Sequence, residues 1–492
     1  MKEYIKQNKW HILLILLGTI FIFIPAFHTN IWFDESYSVG IVTHSFADIW
    51  KIGSYDVHPI LYYWILKVIS LIFGQNILVY RIFSALGIVI LGILGLTHIR
   101  KDFGEKTGLL FTFFSFFLPV ILNYALEIRM YSWTIVFVTL MAIYLYRFIK
   151  QKNLKNIILF GIFSIISCYM HYYALACSGI LNLGLIIYVI RKRKEFNKKL
   201  IKQFIGVEIV QVLLYLPWFV CFVMQFLRVG SGFWITLEIP QIFIDVLNFQ
   251  YMGNLNSTFA LIVAILLYVY VGFLIYKSIK NKEDVKPGII PILVYIAIVI
   301  VMFLISLISP ILYARYLFTI TGLLIFFLSF FMAKEKNRYI TIGICIVIAI
   351  MAIFNNVKVC QENYDKSNGK QIEYLKENLQ SGDIIIYKEI GQGGVVAVQT
   401  QDYKQYFVNL YNWSIEEAYK AYAPQMEVEY SVEEIENNID GRLVIIDTPD
   451  YSFYNNDFNN KDNYNVVSME KFETKYKNIG YGIKILEKKK KK

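Results

Sequence analysis

The chain has 492 residues, of which 57% are hydrophobic and only 17% are charged, and its net charge is +11. This composition excludes an ordinary water-soluble protein. The Lys and Arg residues lie in clusters between apolar segments, which is typical of membrane topology and not of nucleic-acid binding. Several uncharged segments reach about 18 residues or more, enough to cross a bilayer as helices. Because they do not alternate polar and apolar residues, they exclude a β-barrel and predict a polytopic α-helical membrane protein.

The basic clusters predict the orientation of the chain. Lys2, Lys6 and Lys9 precede an apolar segment at residues 11–27 that has no convincing signal-peptidase site, so we expect an uncleaved first helix. The positive-inside rule places the basic clusters, and with them the N-terminus, in the cytoplasm. These clusters lie at residues 2–9, 100–106, 150–155, 191–202, 277–286 and 334–338.

The apolar segments between these clusters predict about eleven transmembrane helices within residues 1–354. Residues 156–190 carry no charge and are too long for a single crossing, so we predict a break at His171. The large outer loops are then residues 28–79 and 228–256.

Residues 59–99 contain two apolar segments. Because the preceding loop is predicted outside and Arg100 inside, the charge pattern allows only an odd number of crossings between them. The segment at 59–73 is the shorter one, contains Lys67 and is rich in Tyr and Trp. We therefore predict that residues 59–73 form a juxtamembrane helix at the membrane interface.

The composition changes near residue 354 to Asn, Asp, Glu, Lys and Tyr, which predicts a separate soluble α/β domain at residues 355–492, outside the cytoplasm. Its predicted strands are 383–388, 395–400 and 443–447, and its predicted helices are 414–422 and 431–437. The glycine-rich residues 391–394 lack a following Lys-Ser or Lys-Thr pair, so they predict a turn and not a phosphate loop.

Polar residues recur at the outer ends of the predicted helices, in the segments WFDESYSV, DVHPILYYW, YALEIRMYSW, YMHYYA and SPILYARYLF. Charges at membrane depth are functional candidates because burying them is costly. The adjacent acids Asp34 and Glu35 suit a general base, although an ordinary helix-capping pair has the same sequence. Arg129 and Arg315 suit phosphate oxygens but could equally snorkel to lipid headgroups, and His171 could simply pack in the core.

Residues 1 to about 354 resemble the GT-C glycosyltransferases, in the group that includes protein O-mannosyltransferases and lipid A aminoarabinose transferases. The resemblance rests on Asp34-Glu35 just after the first helix, Asp56-x-His58-Pro59, Arg129-Met130-Tyr131 and Arg315-Tyr316. Ile60 stands where the family commonly has a second proline.

The resemblance implies an inverting transfer of a sugar from a polyprenyl-phosphate carrier to an acceptor hydroxyl on the outer face of the membrane. It implies that Asp34 is the base and that Glu35 orients it or the acceptor. The implied ligands of the donor phosphate are Arg129, Tyr131, Arg315, Tyr316 and Arg81. The implied supporting residues are Asp56, His58 and His171.

The partners expected from this resemblance are the lipid-linked donor, membrane lipids and an acceptor that is a lipid, a glycan, a wall polymer or a protein, with no nucleic acid. No cofactor is required by this chemistry. A divalent metal could join Asp34 or Glu35 to phosphate, but no spacing indicates one. The five cysteines likewise show neither a disulfide framework nor a zinc pattern.

Two other classes of protein remain as alternatives. A transporter or flippase would line a pathway between both faces with buried charges, whereas the polar segments here are predicted on one face. A membrane-anchored binding protein would use the C-terminal domain and would not need Asp34, Arg129 or Arg315.

Overall fold

The structure is a computed structural model, which describes residues 2–230, 235, 237–410, 416–437, 441–458 and 461–489. The chain divides into two compact units. The first contains residues 1–26 and 81–359, and the second contains residues 27–80 and 360–492. Residues 27–80, which the sequence analysis groups with the transmembrane domain, thus form one unit with the C-terminal sheet.

The first unit is helical. Within the described residues, eight helices are long and apolar enough to cross a membrane, or nine if a pair bent by 60° forms one span. The eight are Ile77–Phe103, Tyr131–Gln151, Tyr172–Arg191, Lys198–Arg228, Ser257–Lys280, Lys286–Ser306, Ala314–Met332 and Arg338–Asn363, and the bent pair is Glu105–Phe117 with Pro119–Ala125. These spans confirm the prediction of a polytopic α-helical membrane protein.

Two shorter apolar helices, Lys9–Phe23 and Leu154–Met170, occupy further predicted crossings. The number of crossings reaches the predicted value of about eleven only if each of these two short helices crosses the membrane and the bent pair forms one further span. Helices Lys2–Gln7 and Gln241–Met252 and the 3₁₀ turn Arg193–Glu195 complete the described helical elements of this unit.

Local chemistry accounts for the breaks between these helices. Leu118 is extended (φ −62°, ψ 127°) because the residue before a proline avoids the α region, so the chain bends at Pro119. At His171 one helix ends and the next begins, and the His171 side chain accepts a hydrogen bond from the backbone N–H of Tyr173. The predicted break at His171 is therefore confirmed.

The second unit is built on a six-stranded sheet in the order β3-β2-β1-β4-β6-β5. Its strands are β1 (Ile384–Tyr387), β2 (Lys404–Val408), β3 (Met426–Glu429), β4 (Arg442–Asp447), β5 (Tyr464–Thr474) and β6 (Ile479–Lys488). The first four strands pair in parallel and β6 pairs antiparallel with both β4 and β5. Helices connect the parallel strands, as crossovers between parallel strands require. The helices that follow β1 in this unit are Ile390–Ala397, Glu416–Tyr419, Val432–Asn437 and Ser452–Asp457.

The structure confirms a C-terminal α/β fold and corrects two local predictions. Residues 391–394 are not a turn and 395–400 is not a strand, since helix Ile390–Ala397 contains all of the first segment and the first half of the second. The glycines are explained by close packing: a Cβ on Gly393 would lie 2.2 Å from the Tyr387 ring, and one on Gly394 would lie 2.6 Å from the Tyr422 ring. Of the predicted helix 414–422, Glu416–Tyr419 is helical, while 411–415 lies outside the described residues.

The loop that carries the acidic pair forms three helices, Phe33–Ile41, Phe46–Gly53 and Leu61–Phe73. Helix Phe33–Ile41 packs on helix Ile390–Ala397. Helix Leu61–Phe73 has 13 residues, about 20 Å at 1.5 Å per residue, which is short of a hydrocarbon core of about 30 Å. It exposes Leu71, Ile72 and Phe73 at 65%, 65% and 60%, and its position at the membrane interface stays a prediction.

Candidate functional site

The acidic pair lies in the first turn of helix Phe33–Ile41, where negative charge is favoured by the helix dipole. The residue that caps this helix is Trp32, and it makes no side-chain capping bond. Asp34 is half-buried, whereas Glu35 is completely buried. The two adjacent carboxyl groups therefore have different environments, one accessible and one enclosed.

Glu35 is held by a residue from the other end of the chain. The Tyr476 hydroxyl donates a hydrogen bond of 2.8 Å to Glu35 Oε2, and the backbone N–H of Tyr476 donates to Asn368 Oδ1 at 2.8 Å. Lys477 and Asn478 both have positive φ values, 54° and 51°, which cost free energy in residues other than glycine. This strained turn places Tyr476 against Glu35, so the Glu35 carboxyl group is both buried and hydrogen-bonded.

The turn also contacts the residue that precedes the acidic helix. Lys477 Nζ lies 4.9 Å from the centroid of the Trp32 ring, a distance suited to a cation–π interaction. The ring of His28 lies 5.1 Å from that of Tyr476. The turn between β5 and β6 thus contacts and stabilises the segment that carries Asp34 and Glu35.

Asp56 and His58 precede helix Leu61–Phe73 in the same unit. Tyr63 donates a long hydrogen bond of 3.5 Å to Asp56 Oδ2, and the rings of Tyr63 and Tyr37 are 5.5 Å apart. His58 is buried at 6% exposure. Tyr37 and Tyr63 therefore connect the acidic helix to the Asp56 segment, while the supporting roles of Asp56 and His58 stay predictions.

The first unit carries a separate cluster of cationic and aromatic side chains around Arg315. The guanidinium carbon of Arg315 lies 5.4 Å from the ring centroid of Tyr313 and 6.0 Å from those of Tyr131 and Tyr316. Arg315 is half-buried at the start of the 3₁₀ segment Ala314–Ile320. Its charge is thus surrounded by aromatic rings on several sides.

His171 lies at the centre of this cluster and is 2% exposed. Its ring centroid is 5.1 Å from that of Tyr316 and 5.9 Å from that of Tyr131. Arg129 and Arg315 are both near enough to interact electrostatically with its imidazole. The structure therefore brings together five predicted residues of this unit, namely Arg129, Tyr131, His171, Arg315 and Tyr316.

Arg81 is also completely buried and reaches the loop that carries Arg129. Its Nη1 donates a hydrogen bond of 2.8 Å to the carbonyl oxygen of Leu126. Glu127 follows in the same loop and is 4% exposed. This contact gives Arg81 a role in holding the loop, whereas its predicted contact with the donor phosphate stays a prediction.

The predicted set of site residues does not include Tyr37, Tyr63, Tyr124, Tyr173, Tyr313 or Tyr476. Tyr124 and Tyr313 contact the Arg315 cluster, and the Tyr173 hydroxyl donates to the carbonyl of Ile311 at 3.0 Å. Their position inside the quoted polar segments could have identified Tyr124, Tyr173 and Tyr313. Tyr476 had no such signal, because its partner is 441 residues away.

Metal binding finds no further support in the geometry. Within the part of the chain that the structure describes, no group of three or more His, Cys, Asp or Glu residues is arranged to hold a metal ion. The five cysteines are free thiols.

Comparison with known proteins identifies the fold. Residues 57–220 match the family described as dolichyl-phosphate-mannose-protein mannosyltransferase. The structure is similar to ArnT from Cupriavidus metallidurans in the apo state, with a TM-score of 0.61 and 10% identity over 98% of each chain. ArnT from the same organism bound to undecaprenyl phosphate gives a TM-score of 0.59 and 11% identity, over 97% of this chain and 98% of that chain. No curated protein sequence matches the chain.

These findings define the class of protein. The chain is a multi-pass membrane protein with the fold of ArnT, and the predicted resemblance to the GT-C glycosyltransferases is confirmed. The family match includes His58, Arg129 and Tyr131, which are among the residues on which that resemblance was based.

Replacing Tyr476 with Phe is expected to destabilise the second unit by about 1–3 kcal/mol, because the buried Glu35 carboxyl group loses a hydrogen-bond donor. Thermal unfolding of the full-length protein in detergent measures the effect. Tyr374→Phe is the matched control, since the half-buried Tyr374 hydroxyl forms a hydrogen bond of 2.6 Å with the hydroxyl of Ser468 and not with a carboxyl group. A loss no larger than that of Tyr374→Phe would contradict a special role for the bond to Glu35.

Proposed function

We propose that the protein is an inverting glycosyltransferase that moves a sugar from a polyprenyl-phosphate carrier to a hydroxyl group of an envelope acceptor. The cluster around Arg315 carries most of this proposal. It combines two guanidinium groups, an imidazole and several tyrosine hydroxyls within a helical membrane unit, a set suited to phosphate oxygens. The similar structure of ArnT with undecaprenyl phosphate supports a carrier of this kind.

The proposed reaction is a single displacement. The acceptor oxygen attacks the anomeric carbon, the bond between that carbon and the phosphate oxygen breaks, and the acceptor proton passes to the Asp34 carboxylate. The lipid monophosphate leaves with the bonding electrons, and Arg129 and Arg315 stabilise its negative charge. Tyr131 and Tyr316 complete the phosphate contacts, while Glu35 keeps Asp34 in position.

The different environments of the acidic pair support this division of roles. Asp34 is half-buried and thus accessible to an acceptor, whereas Glu35 is buried and bonded to Tyr476. A general base must reach the proton that it accepts, and a buried carboxyl group that is already bonded is better suited to positioning. Asp56 is linked to the same helix through Tyr63 and Tyr37.

The reaction itself can be tested with purified full-length protein in detergent. We expect it to convert undecaprenyl-phosphate-linked sugar to undecaprenyl phosphate and a new glycoside when a solubilised envelope fraction supplies the acceptor. Neither ATP, nor an ion gradient, nor a nucleotide sugar should be needed, and NMR should show inversion at the anomeric carbon. A transporter makes no covalent product. Retention of configuration or a strict need for a nucleotide sugar would contradict the proposed mechanism.

We also propose that the second unit and the active site lie outside the cytoplasm, as the positive-inside rule predicts. Gln75, Lys101 and Glu473 are all exposed and allow single cysteines to be placed in a background without the five native ones. An impermeant thiol reagent applied to intact cells should label positions 75 and 473, and position 101 only after permeabilisation. Labelling of position 101 in intact cells would contradict the orientation.

A further inference from the structure

The second unit contains a polar cavity of about 160 Å³. Its walls come from residues 29–31, from helix Lys370–Asn378, from the end of helix Ile390–Ala397 and from the β5–β6 turn. Thr29, Glu373 and Lys376 are exposed and mark its mouth, whereas Gln371 and Tyr481 are buried in its wall.

The interior of the cavity is mainly neutral and hydrogen-bonding. Amide and hydroxyl side chains line it, namely Asn30, Gln371, Gln399, Thr474, Tyr476 and Tyr481. Amides offer both donors and acceptors, and hydroxyl groups do the same. Burial raises the pKa of Tyr481, so its hydroxyl stays protonated and able to donate. The two charged residues at the mouth, Glu373 and Lys376, have opposite signs.

The neutral polar lining of the cavity suits some parts of the substrates better than others. A polyprenyl chain would require an apolar groove, and a phosphate group binds best where cationic side chains are in excess, whereas Lys376 lies beside Glu373 in the lining of this cavity. A carbohydrate or polyol presents several hydroxyls that each donate and accept hydrogen bonds, which matches neutral amides and hydroxyls.

The cavity is directly connected to the acidic pair. Tyr476 forms part of the cavity wall, and its hydroxyl donates to Glu35 Oε2 at 2.8 Å. A ligand in the cavity would therefore contact the same side chain that positions Glu35, the neighbour of Asp34. Residues 29–31 also line the cavity and lead directly into the acidic helix.

We propose that this cavity is an acceptor subsite that binds a carbohydrate or polyol part of the acceptor. The assignment of the ligand to the acceptor rests on the proposed glycosyltransferase function. Through Tyr476, occupation of the cavity couples recognition of the acceptor to the position of Glu35.

Binding can be measured without transfer, using saturation-transfer NMR of the full-length protein in detergent with glucose, N-acetylglucosamine and ribitol as probes. We expect saturation transfer to at least one probe, no displacement by inorganic phosphate, and loss of the signal in Gln399→Trp, which fills the cavity. Thr29→Trp obstructs the mouth from an exposed position and should have the same effect if Gln399→Trp misfolds.

Helix Lys370–Asn378 supplies a matched pair of double variants. Glu373→Ala/Lys376→Ala changes residues at the mouth, whereas Lys370→Ala/Glu377→Ala changes exposed residues of the same helix that do not line the cavity. Only the first should weaken binding of the probe and raise the KM for the acceptor, by about tenfold or more, with the KM for the donor unchanged.

The outcomes separate this proposal from the proposed function. Absence of saturation transfer, a signal that survives both Trp variants, or displacement by phosphate would overturn the subsite even if sugar transfer is observed. Binding that is lost in the Trp variants and retained in Asp34→Asn would support the subsite. If that binding occurs while no transfer is detected, the cavity binds carbohydrate but the proposed function fails.

Discussion

Replacing Asp34 with Asn is expected to reduce sugar transfer by about 10²- to 10⁴-fold, the usual contribution of a general base. The substitution removes the proton acceptor at nearly constant volume, so the fold should be retained. Initial rates of undecaprenyl phosphate release at saturating donor and acceptor measure the effect. The loss should appear in kcat, because the carboxylate acts on the acceptor proton in the transition state.

Asp402→Asn is the matched control for this experiment, since Asp402 is exposed in the same unit. It should transfer sugar at the wild-type rate. Glu35→Gln gives a further comparison, because a positioning residue should reduce activity less than the base does. Near-normal transfer by Asp34→Asn would show that another group accepts the proton.

Replacing Arg315 with Ala is expected to raise the KM for the lipid-linked donor. A charge-assisted hydrogen bond contributes about 1.5–3 kcal/mol, which corresponds to a change of roughly 10- to 150-fold. Arg129→Ala should act in the same direction, since both guanidinium groups are near His171. Initial rates at varied donor and saturating acceptor test this effect, and the KM for the acceptor should be unaffected.

Two further variants make the experiment on Arg315 specific. Arg338→Ala removes an exposed arginine of the same unit and should leave the KM for the donor unchanged. Arg315→Lys keeps the charge but loses the planar fork, so it should recover only part of the affinity for the donor. If Arg129→Ala and Arg315→Ala both use the donor normally, the phosphate binds elsewhere.

The membrane architecture could be predicted largely from local patterns. Apolar segments of sufficient length and basic clusters between them identify the spans, and the break at His171 follows from the length of residues 156–190. Helix Leu61–Phe73 also lies where the apolar pattern predicts a helix, and its position at the membrane interface stays a prediction. These features depend on residues close together in the sequence.

The C-terminal sheet was less predictable. Residues 390–397 contain three glycines and two valines, which favour a turn followed by a strand, yet they form a helix. Gly393 and Gly394 are needed for close approach to Tyr387 and Tyr422, a requirement that appears only in the packed structure. Buried and exposed residues alternate poorly along strands β5 and β6, and the charged residue Lys484 is buried within β6. These strands were therefore difficult to predict from the sequence pattern.

For the candidate site, the sequence by itself determined which residue types occur and in which segments: an acidic pair after the first helix, and arginines flanked by tyrosines. The tertiary structure decided how the two acids differ, since Asp34 stays accessible while Glu35 is buried under Tyr476. It also decided that Tyr131, His171, Arg315 and Tyr316 form one cluster. The physical reason is that burial and hydrogen bonding depend on contacts between distant segments, whereas hydropathy and charge patterns record only neighbours along the chain.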